Sequence, residues 1–407
     1  MRRTWATSLC LSVLVQGVIG AYGATDAVAE PPADGAVAAA AAANNRLGLE
    51  LLQKLSKKQK NVFISPLSLS AVMPVLLEGS AGATRAQFLT ALAVDEADRE
   101  ELQTQIRLLC SQIVVDRETP ELRMGTSIWI RRGAALTPRM AAFAEECNVF
   151  QKSVEFGDPA TVAEINQWSS EATAGQITDL VAQGGVNRLT EWLIANVLYF
   201  KAAWTLPFPE DASECDFHVS GQRRSTAVPA MQQIAKFRLV QNLEGFDALE
   251  LRYVGEEFVA VCLLPLEENA ELWKRAFSQP ALKELQQKLA EAEESDVDVC
   301  LPLFHVRSKS DLRTAFQAMG VRQAFAPKAD FRGLAEQNRF PITEFVQDID
   351  LSVTPKGTEA SARTKVGASG SVQKKIPEFH VNRPFLFFIV HRASGAVLFA
   401  GKVDDPR

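Results

Sequence analysis

The chain has only four histidines, three tyrosines and six cysteines in 407 residues. His218, His305, His380 and His391 form no His-Glu-x-x-His pattern, and no two cysteines stand in a Cys-x-x-Cys spacing. A zinc site is therefore not expected, and neither is any cofactor. His391 falls in an apolar run and is read as structural. A Gly-x-Ser-x-Gly elbow is missing, and so is a Gly-x-x-x-x-Gly-Lys-Ser/Thr loop to cradle a phosphate. Ser65 has no base supplied by its surroundings, so an enzyme is the weaker reading. Absence of any Asn-x-Ser/Thr triplet removes N-glycosylation from consideration. Neither sign of charge dominates: 43 basic against 49 acidic residues give −6. That balance argues against nucleic acid or an anionic membrane as a partner.

Apolar runs long enough to cross a bilayer are also lacking, apart from an N-terminal stretch interrupted by Ser8, Ser12, Gln16 and Gly17. Arg2-Arg3, the run from Trp5 to Ile19 and the small residues around Ala21-Tyr22-Gly23 read as a signal peptide over residues 1–23. Its removal takes two positive charges from the balance of −6, leaving −8. Residues 24–43, Ala-rich with Pro31-Pro32, read as a flexible tail leading into a first helix near Asn45 to Leu55. Cys10 leaves with the signal, and five cysteines are an odd number for a disulfide framework. Cys262 and Cys300 sit in apolar strand patterns, where a free thiol packs as a small hydrophobe. With 47% hydrophobic residues and no break in composition, residues 44–407 are read as one large folded domain.

What is present in abundance is a pattern near the C-terminus. From Gly357 to Ser371 every second residue is small or uncharged: Thr358, Ala360, Ala362, Thr364, Val366, Ala368 and Gly370. The intervening set, Glu359, Ser361, Arg363, Lys365, Gly367, Ser369 and Ser371, carries all the charge. A period of two marks a strand with one face able to be buried. Gly, Ser and Ala are poor strand formers, however, so the segment does not hold itself in a sheet unaided. It could lie exposed in one state and slot between strands in another. Ile349 to Thr354 before it alternates as a strand. Phe385 to Val390 and Val397 to Val403 after it read as two buried strands joined by a Ser-Gly turn.

These residues resemble the serpins, whose pattern is an acidic-Gly-Thr-Glu-Ala-rich hinge, a variable loop, an Asn/Asp-Arg-Pro-Phe-Leu-Phe strand and a Leu-Phe-x-Gly-Lys/Arg-Val ending. The similarity extends upstream in family order. It covers Asn61-Val62-Phe63-Ile64-Ser65-Pro66 with Gly79 to Thr84, and Ile165-Asn166-Gln167-Trp168 with Thr173, Ile177 and Leu180. Asn196 to Trp204 with Phe208, and Ala329-Asp330-Phe331-Arg332-Gly333, complete it. The resemblance implies an α+β fold of about eight or nine helices around three β-sheets, with an exposed reactive loop. It implies a monomeric protease inhibitor, which the signal peptide would make a secreted one: the protease cuts the loop and forms an acyl-enzyme, and the hinge side then inserts into the main sheet. Gly357, Thr358, Glu359, Ala360, Ser361, Ala362, Arg363, Thr364, Val366 and Ala368 would form the hinge and inserting strand. Ser65, Asn196, Trp204, Phe208 and Gln347 would surround the place where the sheet opens.

Three positions depart from the family. Pro355 replaces an acidic residue before the hinge, which is expected to stiffen insertion. Gln347-Asp348 stands where the family has His-Lys; that His bonds the residue matching Asn196, and Gln347 can donate in its place. Arg363 replaces a small Ala on the outward set. Counting forward from the hinge puts the reactive bond at Ser371-Val372, suited to an elastase-like or subtilisin-like protease. Counting backward from Pro384 favours Lys374 or Lys375 and a trypsin-like enzyme with an acidic pocket. Alternatives are a non-inhibitory member, acting as carrier or chaperone, or a cross-class inhibitor of cysteine proteases. Heparin is not an expected partner, since residues 98 to 118 are mixed in charge rather than basic.

Overall fold

The computed structural model describes residues 34–57, 60–115, 120–134, 136–211, 213–222, 224–267, 269–335, 341–358 and 376–407. Among them are nine α-helices: α1 (Asp34–Leu55), α2 (Pro66–Gly79), α3 (Gly82–Leu92), α4 (Arg99–Ile113), α5 (Pro138–Glu146), α6 (Pro159–Ala172), α7 (Ala270–Ala276), α8 (Gln279–Glu291) and α9 (Leu312–Ala318). Strands β1 (Val62–Ile64), β2 (Glu121–Arg131), β3 (Phe150–Val154), β4 (Trp192–Ala203), β5 (Ser213–Phe217), β6 (Thr226–Leu243), β7 (Phe246–Arg252) and β8 (Phe258–Pro265) form the first group. The second comprises β9 (Glu294–Pro302), β10 (Phe304–Asp311), β11 (Glu344–Thr354), β12 (Gly357–Thr358), β13 (Glu378–His380), β14 (Phe385–His391) and β15 (Val397–Val403). No helix among the described residues is long and apolar enough to cross a membrane.

Two hydrogen-bonded sheets are described where three were expected. The nine-stranded sheet runs β1-β15-β14-β8-β7-β6-β9-β13, with β5 also on β6. Its continuity comes from β6, whose 18 residues pair β5 over 226–230, β9 over 230–238 and β7 over 238–243, so two sheets become one. The second sheet has the order β10-β11-β12-β4-β2-β3, with β11 also pairing β4. In its middle lies β4, and the side chains of that strand divide by parity. Trp192, Ile194, Leu198 and Phe200 enter the main core shared with α2 and the larger sheet. Leu193, Ala195 and Val197 enter a second core beneath α6, with Ile165, Ile177 and Leu180. A central strand buried on both faces reads as a continuous apolar run, as β4 does, whereas edge strand β10 alternates buried and exposed residues.

The N-terminal helix starts at Asp34, so residues 34–43 are helical rather than a flexible tail. Alanine has the highest helix propensity, and Ala40 and Ala41 are buried in the main core. Asn44 and Asn45 then anchor the helix, donating to the carbonyls of Val397 and Gly395 at 3.0 and 2.8 Å. The five cysteines from Cys110 onward are free thiols, with Cys110, Cys262 and Cys300 buried and Cys147 and Cys215 partly so.

Candidate functional site

The hinge is already part of the six-stranded sheet. β12 sits between β11 and β4 at one end of the ladder, with Val353 and Ala202 opposite Thr358 and with Thr354 and Ala203 opposite Gly357. Beyond β12, β11 and β4 pair directly in parallel from Glu344–Leu193 to Asp350–Tyr199. The two strands therefore diverge to admit two residues and close again behind them.

Pro355 does not obstruct this seat. With Lys356 it makes the two-residue turn between β11 and β12, where proline presets the bend and no ladder donor is needed. The Pro355 carbonyl accepts from the Phe208 backbone at 2.8 Å, and the Lys356 carbonyl accepts from that of Trp204 at 3.0 Å. Gly357 suits its place for two reasons. Its φ is +149°, and a Cβ there would stand 2.1 Å from the Ala202 carbonyl oxygen.

Around the seat, Trp204 donates from Nε1 to the Thr354 carbonyl at 2.9 Å and stacks on Tyr253 at 4.4 Å between ring centroids. Thr358 is fully buried, and its hydroxyl lies 2.8 Å from that of Tyr253. Burial pushes the Tyr253 phenol above its ordinary pKa, so it is neutral and able to donate. Thr358 thus faces the interior of the sheet. Sequence reasoning missed Tyr253, and nothing in the sequence sets it apart from Tyr199, which is also buried.

Further down, Gln347 and Asn196 are paired across the β11–β4 ladder, yet they meet through Ser68 rather than each other. Gln347 accepts from the Ser65 backbone at 2.9 Å, and its Nε2 donates to the Ser65 carbonyl at 3.0 Å and the Ser68 hydroxyl at 2.8 Å. Asn196 donates to the Ser68 carbonyl and the Thr126 hydroxyl, both at 3.0 Å. The expected direct bond is replaced because α2 presents its capped N-terminus at this point, with Ser65 as N-cap accepting from Ser68. Sequence reasoning also missed Ser68, which ties both strands to α2.

On the opposite face Asp348 is fully buried and accepts from Arg307 at 3.1 Å. Burial raises its pKa above the usual carboxylate range, against the opposing pull of Arg307. Arg307 also pairs with Asp179, in the connection from α6 to β4. That connection is held to α6 by Asn166, which exchanges two hydrogen bonds with the Val181 backbone at 2.9 and 2.8 Å.

Two histidines pair with single carboxylates in separate places, His305 with Asp350 and His380 with Asp298. His391 bonds Ser394 at 2.8 Å and pairs with Glu257 at 3.4 Å. No cluster able to hold a metal occurs among the described residues. On α4, Arg99 pairs with Glu78 at 2.6 Å and Arg107 with Glu146 at 3.0 Å, which leaves no basic stripe there. Glu359, Ala360, Ser361, Ala362, Arg363, Thr364, Val366, Ala368, Ser371, Val372, Lys374 and Lys375 lie outside the described residues.

Comparison with known proteins agrees with this geometry. An uncharacterized serpin-like protein of Thermococcus kodakarensis is 32% identical over 371 residues, covering 89% of this chain and 85% of its own. Leukocyte elastase inhibitor of Homo sapiens is 30% identical, over 89% of this chain and 98% of its own. Human thyroxine-binding globulin complexed with thyroxine superposes with a TM-score of 0.81 at 23% identity, covering 91% of this chain and 99% of that one, a likeness of fold. The profile of the Serpin (serine protease inhibitor) family matches residues 42–406, and the chain belongs to that family.

Proposed function

We propose that this serpin is a secreted inhibitor of serine proteases that traps its target by loop cleavage and strand insertion. The observation that carries this reading is the seat of β12. Two hinge residues already occupy the position between β11 and β4 that the rest of the loop would extend, and the direct β11–β4 pairing beyond them is what an inserted strand would replace. Every inward residue from Thr358 to Ala368 is small or uncharged, as a closed core requires.

Each new ladder bond contributes about 1 kcal/mol net, so a dozen give on the order of 10 kcal/mol before side-chain burial. Dragging the acyl-linked protease along would displace its catalytic groups, and a shift of ~1 Å costs about a hundredfold in rate. Loss of an oxyanion donor costs a further ~10²–10³. Deacylation then stalls.

Similarity to leukocyte elastase inhibitor supports an elastase-like target and cleavage at Ser371-Val372. A trypsin-like target cutting at Lys374 or Lys375 is the alternative. Residues 1–23 as an export signal belong to the same proposal. Incubation with a panel of elastase-like, subtilisin-like, trypsin-like and cysteine proteases tests it. A denaturant-resistant complex with a serine protease is expected, and sequencing the released C-terminal fragment identifies the bond. Clean cleavage by every member with no complex would overturn the inhibitory reading in favour of a carrier or chaperone.

A further inference from the structure

Two of the departures from the family pattern, Arg363 in the loop and Asp348 in β11, bear opposite charges, and the register of β12 relates them. Thr358 stands opposite Val353 on β11 and Ala202 on β4, antiparallel to both. Each step forward along the loop is therefore one step back along both neighbours. Arg363 lies five residues after Thr358, Asp348 five before Val353, and Val197 five before Ala202. Asp348 and Val197 are themselves partners in the β11–β4 ladder, so both sides independently assign the same facing residue to an inserted strand. That residue is Arg363.

Asp348 is built to receive it. From the β10 side Arg307 reaches its Oδ2 at 3.1 Å, and Lys309 stands opposite it on the ladder. On the β4 side its neighbour is Val197, and its Oδ1 has no hydrogen-bond partner among the described residues. A fully buried carboxylate with an idle oxygen is costly. Arg307 cannot turn wholly to Asp348, because it also holds Asp179.

The geometry points to Asp348 as a receptor for the Arg363 guanidinium: insertion sets the two side by side across the ladder and gives Oδ1 the donor it lacks. The same register sets Glu359 opposite Lys201, and Lys365 opposite Val346 with Glu344 and Asp348 on its diagonals. Opposite-charge pairs across a ladder stabilise it, and diagonal neighbours are within reach of long side chains. All three loop charges thus meet opposite charge in a sheet whose inward face selects only for size. The inference rests on the insertion reading and deepens it, since the sheet would recognise the charge order of its own loop.

The test is a double-mutant cycle on the gain in melting temperature after a single cut near Ser371, made with a protease that does not cleave after basic residues. Wild type, Asp348→Asn, Arg363→Gln and the double variant are each melted intact and cut. Comparing the two forms of one variant cancels what the Asp348 change does to the intact fold. Each single change is expected to trim the gain, and the double variant to lose no more than one of them. As a second arm, Arg363→Glu should lower the fraction of cleavage events ending in a denaturant-resistant complex by at least about threefold, with recovery when Asp348→Lys is added. Strictly additive losses, or none, with the wild-type gain intact would overturn the pairing and leave insertion standing. No gain in the cut wild type would overturn insertion itself.

Discussion

The Thr358 hydroxyl lies 2.8 Å from the Tyr253 hydroxyl in the interior of the sheet, so the first inward side chain of the loop is seated before any bond is cut. The insertion proposed above would then begin from a primed position. Nucleating a strand fixes backbone before the ladder rewards it, at about 1–2 kcal/mol per residue, and two residues of that cost are already met here.

Removing this catch should loosen the hinge without unfolding the protein. Tyr253→Phe keeps the stack on Trp204 and loses one hydrogen bond worth about 1 kcal/mol. Gly357→Ala is the harsher change, because its Cβ would meet the Ala202 carbonyl and the Ala203 Cα at 2.1 and 2.7 Å. Hydrogen exchange at Gly357 and Thr358 is the measurement. Protection should fall by about fivefold in Tyr253→Phe and vanish in Gly357→Ala. Unchanged protection in both would show that β12 is not held by these contacts.

How much of this was legible in the sequence varied with the physics involved. The period of two placed Thr358 on the buried set, and continuous apolar runs marked β14 and β15 as central strands. Helix α1 began ten residues earlier than its polar boundary at Asn44-Asn45 implied, because those amides bond to the chain near Gly395 rather than ending a helix. Pro355 reads as a strand residue and lies in the turn between β11 and β12. A missing donor harms a strand but not a turn, and whether Pro355 was strand or turn depended on where β12 paired. Ser68 could not be recognised, since a serine inside an apolar helix has meaning only through what β11 and β4 bring to it.

Ser68 and Gln347 supply the next prediction. Gln347→Ala removes three buried hydrogen bonds and orphans the Ser65 backbone N–H, while the Ser65 carbonyl keeps only its longer bonds from Leu69 and the Ser68 hydroxyl at 3.3 and 3.4 Å. Each orphaned buried group costs about 1–3 kcal/mol. The intact protein should melt several degrees lower and pass more readily to inserted or polymeric forms on mild heating, seen by native gel. Gln347→His, which restores a donor, should be less affected. An unaltered melting curve in Gln347→Ala would show that this contact is not a lock.

Thiol chemistry offers a check on the core. Burial pushes the Cys110 and Cys147 thiols up to about 12, and Cys262 is likewise driven well above its usual range. At pH 8 a thiol with a pKa of 12 is thiolate in only about one molecule in 10⁴, and the thiolate is the reactive form. The folded protein is therefore expected to resist alkylation at these three positions and to release all of its thiols on unfolding. Rapid labelling of Cys110 in the folded state would contradict the packing of α4 against α2.

The sharpest test of the hinge is Thr358→Arg. The side chain at this position faces Tyr253 in a closed interior, and a guanidinium there would have no counter-charge. Burying it unpaired would cost several kcal/mol, more than a two-residue strand can supply, so β12 should leave the sheet while the rest of the fold stands. Residues near Ser371, more than ten positions away, remain free to engage a protease. The variant should be cut at least as fast as wild type and yet form no denaturant-resistant complex, turning an inhibitor into a substrate. Glu359→Arg, one residue on and in the charged set of the alternation, should only slow complex formation, since an inserted strand continuing the register would bring it to Lys201 as a like charge. If both variants formed complex as wild type does on a denaturing gel, the loop would not work by entering between β11 and β4.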